Sequence, residues 1–264
     1  MTPDELLAVY DAEVRRSFPA RLPAGWTGEQ DGPLIRCTIP TPRSGMAILT
    51  EDVSNLAYDE LVALVDRTFA FYGERGLGFE WKTFDHDRSD LIPLLVERGA
   101  QAEPHEALVM GDAATLVGEP MLPAGLTMAR VTDRADLERI AELMTEVWGE
   151  DRSWLADDLE AQLAGAELID IFVVKDGDRA VSAAWMVPLP GTRVVGFWGG
   201  STLAAYRGRG IYRALVAHRA RIALDRGYTI VQVDASDDSR PILERLGLHV
   251  VGGTTPYVVS PPPA

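Results

Sequence analysis

From residue 127 onward the apolar positions alternate between two spacings. Short apolar or alternating runs at 127–131, 169–174, 180–187, 193–202, 229–233 and 250–259 predict strands. Leu137, Ile140, Ala141 and Met144 recur at helical spacing and predict a helix over 133–147, with Thr132 at the N-cap position. A second helix is predicted over 154–164. A third carries Ile211, Leu215 and Ile222 on one face and stops at Gly227, and a fourth covers 241–246. Asp176-Gly177, between two of the strands, is a two-residue hairpin signal.

The first half repeats part of this order. Glu74-Arg75-Gly76, then 78–84, then 91–99 parallels Asp225-Arg226-Gly227, then 229–233, then 242–247. In each case an amphipathic helix ends at glycine, a strand follows, and a helix reading Leu-Val-Glu-Arg-Gly or Leu-Glu-Arg-Leu-Gly comes next. The registers differ by three residues, so the echo is a weak internal repeat that needs an insertion. Between the halves, 118–125 is rich in Pro and Gly, as a linker is. The expected division is an N-terminal α/β domain over 1–118 and a second domain over 119–264.

Composition narrows the function. At 264 residues, 47% hydrophobic and 25% charged, the chain has the make-up of a soluble globular protein. Its apolar runs are too short for a membrane helix and its first residues lack a basic n-region, so a cytoplasmic address is expected. One cysteine, Cys37, and four scattered histidines offer neither a disulfide framework nor metal-ligand spacing, and no metal is expected. Cys37 is read as a small packed residue, and His218, among arginines, as solvent-facing. A net charge of -15 repels nucleic acid and anionic membranes, and neither is an expected partner. A homodimer is allowed.

The acidity fails in one place. Between Arg207 and Arg226 stand six arginines and one acid, Asp225. This basic stretch begins in the turn Arg207-Gly208-Arg209-Gly210, which follows a predicted strand and precedes the helix at Ile211. Such a turn aims free N–H groups and the positive helix end at one point, and phosphate binds there. The glycines let a pyrophosphate approach, and Arg207, Arg209 and Arg213 add charge-assisted bonds. A Walker A loop is excluded for want of Gly-Lys-Ser/Thr, and a dinucleotide fingerprint by Arg213 where its third glycine belongs. Spacing alone leaves a plain surface turn as the other reading.

The run Ala204-Ala205-Tyr206-Arg207-Gly208-Arg209-Gly210-Ile211-Tyr212-Arg213-Ala214-Leu215 resembles the coenzyme-A-binding motif of the GNAT superfamily, Arg/Gln-x-x-Gly-x-Gly/Ala before a long helix. Ile242-Leu243-Glu244-Arg245-Leu246-Gly247-Leu248 resembles the family's late helix and its stop. The likeness covers about 140 residues in order. It implies a mixed α/β GNAT acyl-CoA N-acyltransferase fold, with the first half as a degenerate GNAT-like partner, and acetyl-CoA as acyl donor. Ser201, Thr202 and Leu203 would present backbone groups to the pantetheine arm, backbone N–H groups from Arg207 through Tyr212 would hold the pyrophosphate, and arginines of the next helix would reach the adenosine phosphate. Ser236 aligns with the family's strand-end asparagine and Ser239 with the small residue after it.

Two residues depart from the family pattern. Tyr212 stands where the family prefers Gly or Ala, so its phenol must turn from the cofactor or cover it. Leu243 stands where a tyrosine commonly protonates the leaving thiolate, and leucine donates no proton. Ser236, Ser239 or Tyr257 would then serve, or solvent. The base or amine anchor is sought in Glu150 and Asp151, with Asp234 as a third carboxylate. Trp148 and Trp198 are candidates for walls of the acceptor pocket. The expected activity is transfer of an acetyl group to a small-molecule primary amine by direct attack, and the alternative is a non-catalytic acyl-CoA-binding or regulatory module. In the first half the equivalent turn, Thr50-Glu51-Asp52-Val53, carries carboxylates, and no coenzyme A is expected there.

Overall fold

In the computed structural model, residues 1–40, 45–118, 121–165 and 169–261 are described, so residues 119 and 120 at the expected domain boundary lie outside them. The chain is mixed α/β. In order it forms α1 (Pro3–Val9, continued as a π-helix over Tyr10–Arg15), β1 (Thr27–Asp31), β2 (Leu34–Thr38), β3 (Gly45–Leu49), α2 (Tyr58–Gly73), β4 (Phe79–Phe84), α3 (Leu91–Glu97), β5 (Gln101–Ala102) and β6 (Glu106–Asp112). There follow β7 (Leu126–Arg130), α4 (Arg134–Trp148), α5 (Leu155–Ala164), β8 (Asp170–Asp176), β9 (Arg179–Pro188), β10 (Val194–Thr202), α6 (Ile211–Asp225), β11 (Ile230–Ala235), α7 (Arg240–Arg245) and β12 (His249–Val259).

These elements make two compact units that interleave along the chain. One contains Thr2–Leu108, Asp234–Asp237 and Val250–Ala264; the other contains Val109–Val233 and Asp238–His249. The C-terminal strand therefore belongs with the first hundred residues rather than with those after 119. Its pairing shows why: Thr254 through Val259 of β12 run antiparallel to Phe84 through Phe79 of β4. An alternating pattern identifies a strand but does not choose its neighbour.

In the first unit, β1, β2 and β3 form an antiparallel meander, and β3 then pairs β4 in parallel. Helix α2 makes the crossover and buries Leu61, Leu64, Val65, Phe71 and Tyr72 against a core that includes Trp81, Leu91, Leu95 and Tyr257. The Tyr72 hydroxyl lies 3.0 Å from Cys37 O and 2.9 Å from Met46 O and so ties the helix to β2 and β3. Cys37 is fully buried, and burial pushes its thiol up to about 12.

In the second unit, β7, β8, β9 and β10 are antiparallel in sequence, and β10 pairs β11 in parallel. The β8–β9 hairpin turns at Gly177, φ 58°, where the Asp176-Gly177 signal predicts it. Helix α4 buries Leu137, Ile140, Ala141 and Met144 as its spacing predicts, each large side chain contributing about 1.5–3 kcal/mol of apolar burial. Its cap is Asp133 rather than Thr132. The Asp133 backbone is extended and its carboxylate accepts from Asp136 N at 2.9 Å, so a negative charge sits on the positive helix end.

Candidate acyl-donor site

All of the following geometry lies within the second unit unless stated. Strand β10 starts with a partner on each edge and ends with one. Its parallel ladder pairs Val194, Val195 and Gly196 with Ile230, Val231 and Gln232, and among the described residues stops there. The ladder with β9 continues to Thr202, but its register shifts between Trp198 and Ser201. That bulge is the pair Gly199-Gly200. Gly199 sits at φ +64°, and a Cβ there would meet the Trp185 ring at 1.9 Å; a Cβ on Gly200 would meet Tyr212 Cε2 at 2.7 Å. Two glycines inside a strand are the sequence signal for such a bulge.

The chain then enters the turn. Leu203 N donates to Val181 O at 3.0 Å and its side chain is buried, so this amide faces β9 rather than an open edge. Arg207 Nε donates to Thr202 O at 3.1 Å, which folds the guanidinium back along the strand end. Gly208 and Gly210 take φ of 73° and 84°, the left-handed region that glycine enters without strain. Gly210 caps α6 with no side-chain bond, and the first turn of α6 holds no acidic residue. Among the described hydrogen bonds none is donated by the backbone N–H groups of 208–213; the first helical bond is Ala214 N to Gly210 O at 3.0 Å. Free N–H groups thus converge with the helix dipole; Arg213 Nη2 lies 3.7 Å from a Cβ built on Gly210, Arg209 covers the Tyr206 ring at 5.2 Å, and Arg207 lies 3.9 Å from Asp238. A phosphate fits this cradle in chemistry and in sterics, since nothing lies within 4 Å of a Cβ built on Gly208.

Helix α6 also carries a buried charge. Arg219 is 1% exposed and, among the described residues, pairs with no carboxylate. Its Nη1 donates to Trp185 O at 2.8 Å and lies 3.4 Å from Trp198 O, its Nε donates to Leu215 O at 3.2 Å, and its guanidinium covers the Phe197 ring at 4.3 Å. Burial brings its pKa down to about 10. Four residues after Leu215 and three before Ile222, position 219 lies on the apolar face, so its burial was available from the spacing. His218 is likewise packed, edge-on to Phe172 with centroids 4.9 Å apart, and burial lowers its pKa; the expectation of a solvent-facing histidine is corrected.

The acceptor-side candidates separate. Trp148 ends α4 and its indole N–H donates to Ser201 Oγ at 3.2 Å, which brings the α4–α5 loop against β10. Ser182 Oγ donates to Ser201 O at 2.7 Å and bonds Thr202 Oγ1 at 2.8 Å, fixing that strand end. Trp198 is 39% exposed on β10, across from Trp185 of β9, and is no plain core residue. Glu150 is 75% exposed, 3.4 Å from Arg152. The Asp151 carboxylate accepts from Ser153 N at 2.9 Å, and the Ser153 N–H and hydroxyl hold it below the usual carboxylate range, a poor setting for a base.

The remaining candidates lie in the first unit or change role. The Asp234 side chain is 3% exposed and ion-paired to Lys82. Tyr257 packs in the first unit's core, opposite Trp81. Ser236 also falls in the first unit. Ser239 is the N-cap residue of α7 in the second unit. Leu243 is fully buried, as an aliphatic side chain requires. Among the described residues, no group of three or more His, Cys, Asp or Glu side chains could hold a metal ion, and no helix is long and apolar enough to cross a membrane.

Residues 136–248 match the model of the acetyltransferase (GNAT) family. No curated protein matches the chain. Among solved structures, a GCN5-related N-acetyltransferase from Kribbella flavida is similar over 99% of this chain and 96% of its own, with TM-score 0.71 and 16% identity. A GCN5-related N-acetyltransferase from Sphaerobacter thermophilus is similar over 88% of this chain and 78% of its own, with TM-score 0.63 and 15% identity. A tandem GNAT protein from the clavulanic acid biosynthesis pathway is similar over 100% and 98%, with TM-score 0.61 and 11% identity. At such identities these likenesses bear on fold, and the fold is that of tandem GNAT proteins.

Proposed function

We propose that this chain, whose residues 136–248 match the acetyltransferase (GNAT) family, moves an acetyl group from acetyl-CoA to the primary amine of a small molecule. The observation that carries this reading is the run of N–H groups over 208–213 that donate to no group among the described residues, at the acid-free start of α6. Those groups and Arg207, Arg209 and Arg213 hold the pyrophosphate of the donor. Pantetheine lies along the edge of β10 that has lost its parallel ladder, and the thioester reaches the Gly199-Gly200 bulge. There the backbone N–H groups stabilise the oxyanion that forms as the amine attacks. Trp148 and Trp198 wall the acceptor and Glu150 draws its charge, a division of labour supported by the Trp148 to Ser201 contact. The amine must arrive neutral to attack, so its proton goes to water or to Glu150.

The test is thiol release from acetyl-CoA by the full chain across amino acids, polyamines and amino sugars. Release with at least one amine is expected, together with a rise in Tm from acetyl-CoA that ATP and NAD do not give. Saturable acetyl-CoA binding without release would leave a binding module, the reading that Leu243 favours.

A further inference from the structure

We propose that Arg219 is a positioning residue for acyl transfer: its buried charge polarises the Trp198–Gly199 peptide through the carbonyl and makes Gly199 N–H a stronger donor to the thioester oxygen. The inference rests on the acyl-transfer reading above and gives a source to the oxyanion stabilisation which that reading needs. One guanidinium nitrogen, Nη1, lies 2.8 Å from Trp185 O and 3.4 Å from Trp198 O. Trp185 and Trp198 are register partners on β9 and β10. A single nitrogen reaches both oxygens only if both point into the space between the two strands. The Trp198–Gly199 peptide is trans, so Gly199 N–H points away from β9, opposite to Trp198 C=O. That direction is the other edge of β10, where among the described residues the parallel ladder with β11 ends at Gly196. It is the edge assigned above to the pantetheine.

The surroundings keep the charge effective. Arg219 is 1% exposed, and its guanidinium lies over the Phe197 ring at 4.3 Å. Its hydrogen bonds go to three backbone oxygens, those of Leu215, Trp185 and Trp198, and among the described residues to no carboxylate. On the bulge itself a Cβ at Gly199 would meet the Trp185 ring at 1.9 Å, so the indole lies against this peptide and excludes water from one face. In such a setting an unbalanced cation is weakly screened. A hydrogen bond accepted by a peptide oxygen also strengthens donation from the same peptide's nitrogen. A clamp between two strands needs donors and no charge. A neutral amide could join the same two oxygens without the cost of burying an unpaired guanidinium.

The test separates charge from clamp in the full chain. With acetyl-CoA isotope-labelled at the acetyl carbonyl and no amine present, the thioester of the wild-type complex is expected at lower infrared frequency than in water. Arg219→Gln keeps a donor without the charge, and Arg219→Met is a second neutral variant whose apolar stem suits a buried site. In either, about half or more of the frequency shift is expected to vanish and kcat to fall about 10-fold, while KM and the acetyl-CoA dissociation constant stay within about twofold. Arg219→Lys returns a cation whose pKa burial lowers, so its carbonyl frequency should move from the wild-type value toward that of the neutral variants between about pH 7 and 9. Wild type should stay constant over that range. The titratable neighbours of this site are Tyr212 and His218 on the same helix; burial raises the first and lowers the second, so neither changes charge in the window. The stretches of β9 and β10 that touch Arg219 carry no ionisable side chain.

An unchanged carbonyl frequency in a neutral variant, or a loss of kcat matched by an equal loss of acetyl-CoA affinity, would leave Arg219 a strand clamp and overturn the proposal. A lysine variant fixed at the neutral variants' frequency at every pH overturns it as well. Wild type that shows the shifted carbonyl but releases no thiol to any amine refutes acyl transfer and leaves the polarisation standing. Wild type that binds no acetyl-CoA sinks both.

Discussion

The connection 50–57 after β3 and the connection 203–210 after β10 are equal in length and occupy the same place in the two units: each follows the first strand of a parallel pair and opens the crossover helix. They differ in what fills them. In the first, Arg15 donates to Leu49 O at 2.6 Å and pairs with Asp87, Arg88 reaches Val53 O and Leu56 O, and Glu60 accepts the Ala57 N–H at 3.0 Å. Asp59 and Glu60 lie on the positive end of α2. In the second, the N–H groups of 208–213 have no such partners among the described residues, and no acid stands in the first turn of α6. The strands differ as well, since β3 keeps an unbroken register with β2 while β10 bulges. One backbone plan yields a closed structural turn where the protein satisfies its own groups, and an anion cradle where it leaves them to a ligand.

The largest effect is expected where the first turn is emptied. Arg15→Ala leaves Asp87, whose side chain is 6% exposed, with the Phe84 N–H at 2.9 Å but without the guanidinium that balances its charge, at a cost of about 3–5 kcal/mol in urea unfolding. A loss under about 1 kcal/mol would mean that water fills the space and that the turn is not held by Arg15. Next comes the bulge. Gly199→Ala forces a Cβ to 1.9 Å from the Trp185 ring at a positive φ, for an expected loss of about 2–4 kcal/mol. Gly208→Ala, at a similar φ with open space around it, is expected to lose about 1 kcal/mol. Equal losses at the two sites would remove the steric distinction between bulge and turn.

Much of the second turn was legible because its chemistry is local. Glycines at 208 and 210, arginines around them and the helical spacing of Ile211, Leu215 and Ile222 all lie within twenty residues. The αβα echo was legible for the same reason, and the parallel β3–β4 and β10–β11 pairs give it a structural counterpart. What escaped was set by distant partners. Nothing near Tyr257 or Asp234 says that they face Trp81 and Lys82, and nothing near Tyr212 says that it lies on Gly200. Arg219 escaped for another reason: its spacing marked it as buried, but an arginine among arginines reads as a solvated face.

Making the second turn resemble the first in charge tests the cradle directly. Arg207→Glu with Arg209→Glu reverses two charges beside the free N–H groups, and acetyl-CoA affinity by calorimetry is expected to fall about 10²-fold at low salt. A change under about threefold would disconnect the turn from the phosphates.

The subtlest test exchanges a single residue at equivalent helix positions. Glu60 is the third residue of α2 and closes back on its cap N–H, while Arg213 holds the third position of α6, its Nη2 3.7 Å from a Cβ built on Gly210. Arg213→Glu gives α6 the device that α2 uses, so the protein without ligand should gain about 0.3–1 kcal/mol as a carboxylate meets the helix dipole. The same charge repels the donor's phosphates, so acetyl-CoA binding should weaken as stability rises. Glu60→Gln keeps the acceptor but removes the charge, and should cost a few tenths of a kcal/mol that disappear at about 1 M salt. If Arg213→Glu destabilises the ligand-free protein, the N–H groups at the start of α6 are not the unmet donors described above. A gain in stability paired with a loss of affinity would identify the open helix end as a cost the fold carries for its ligand.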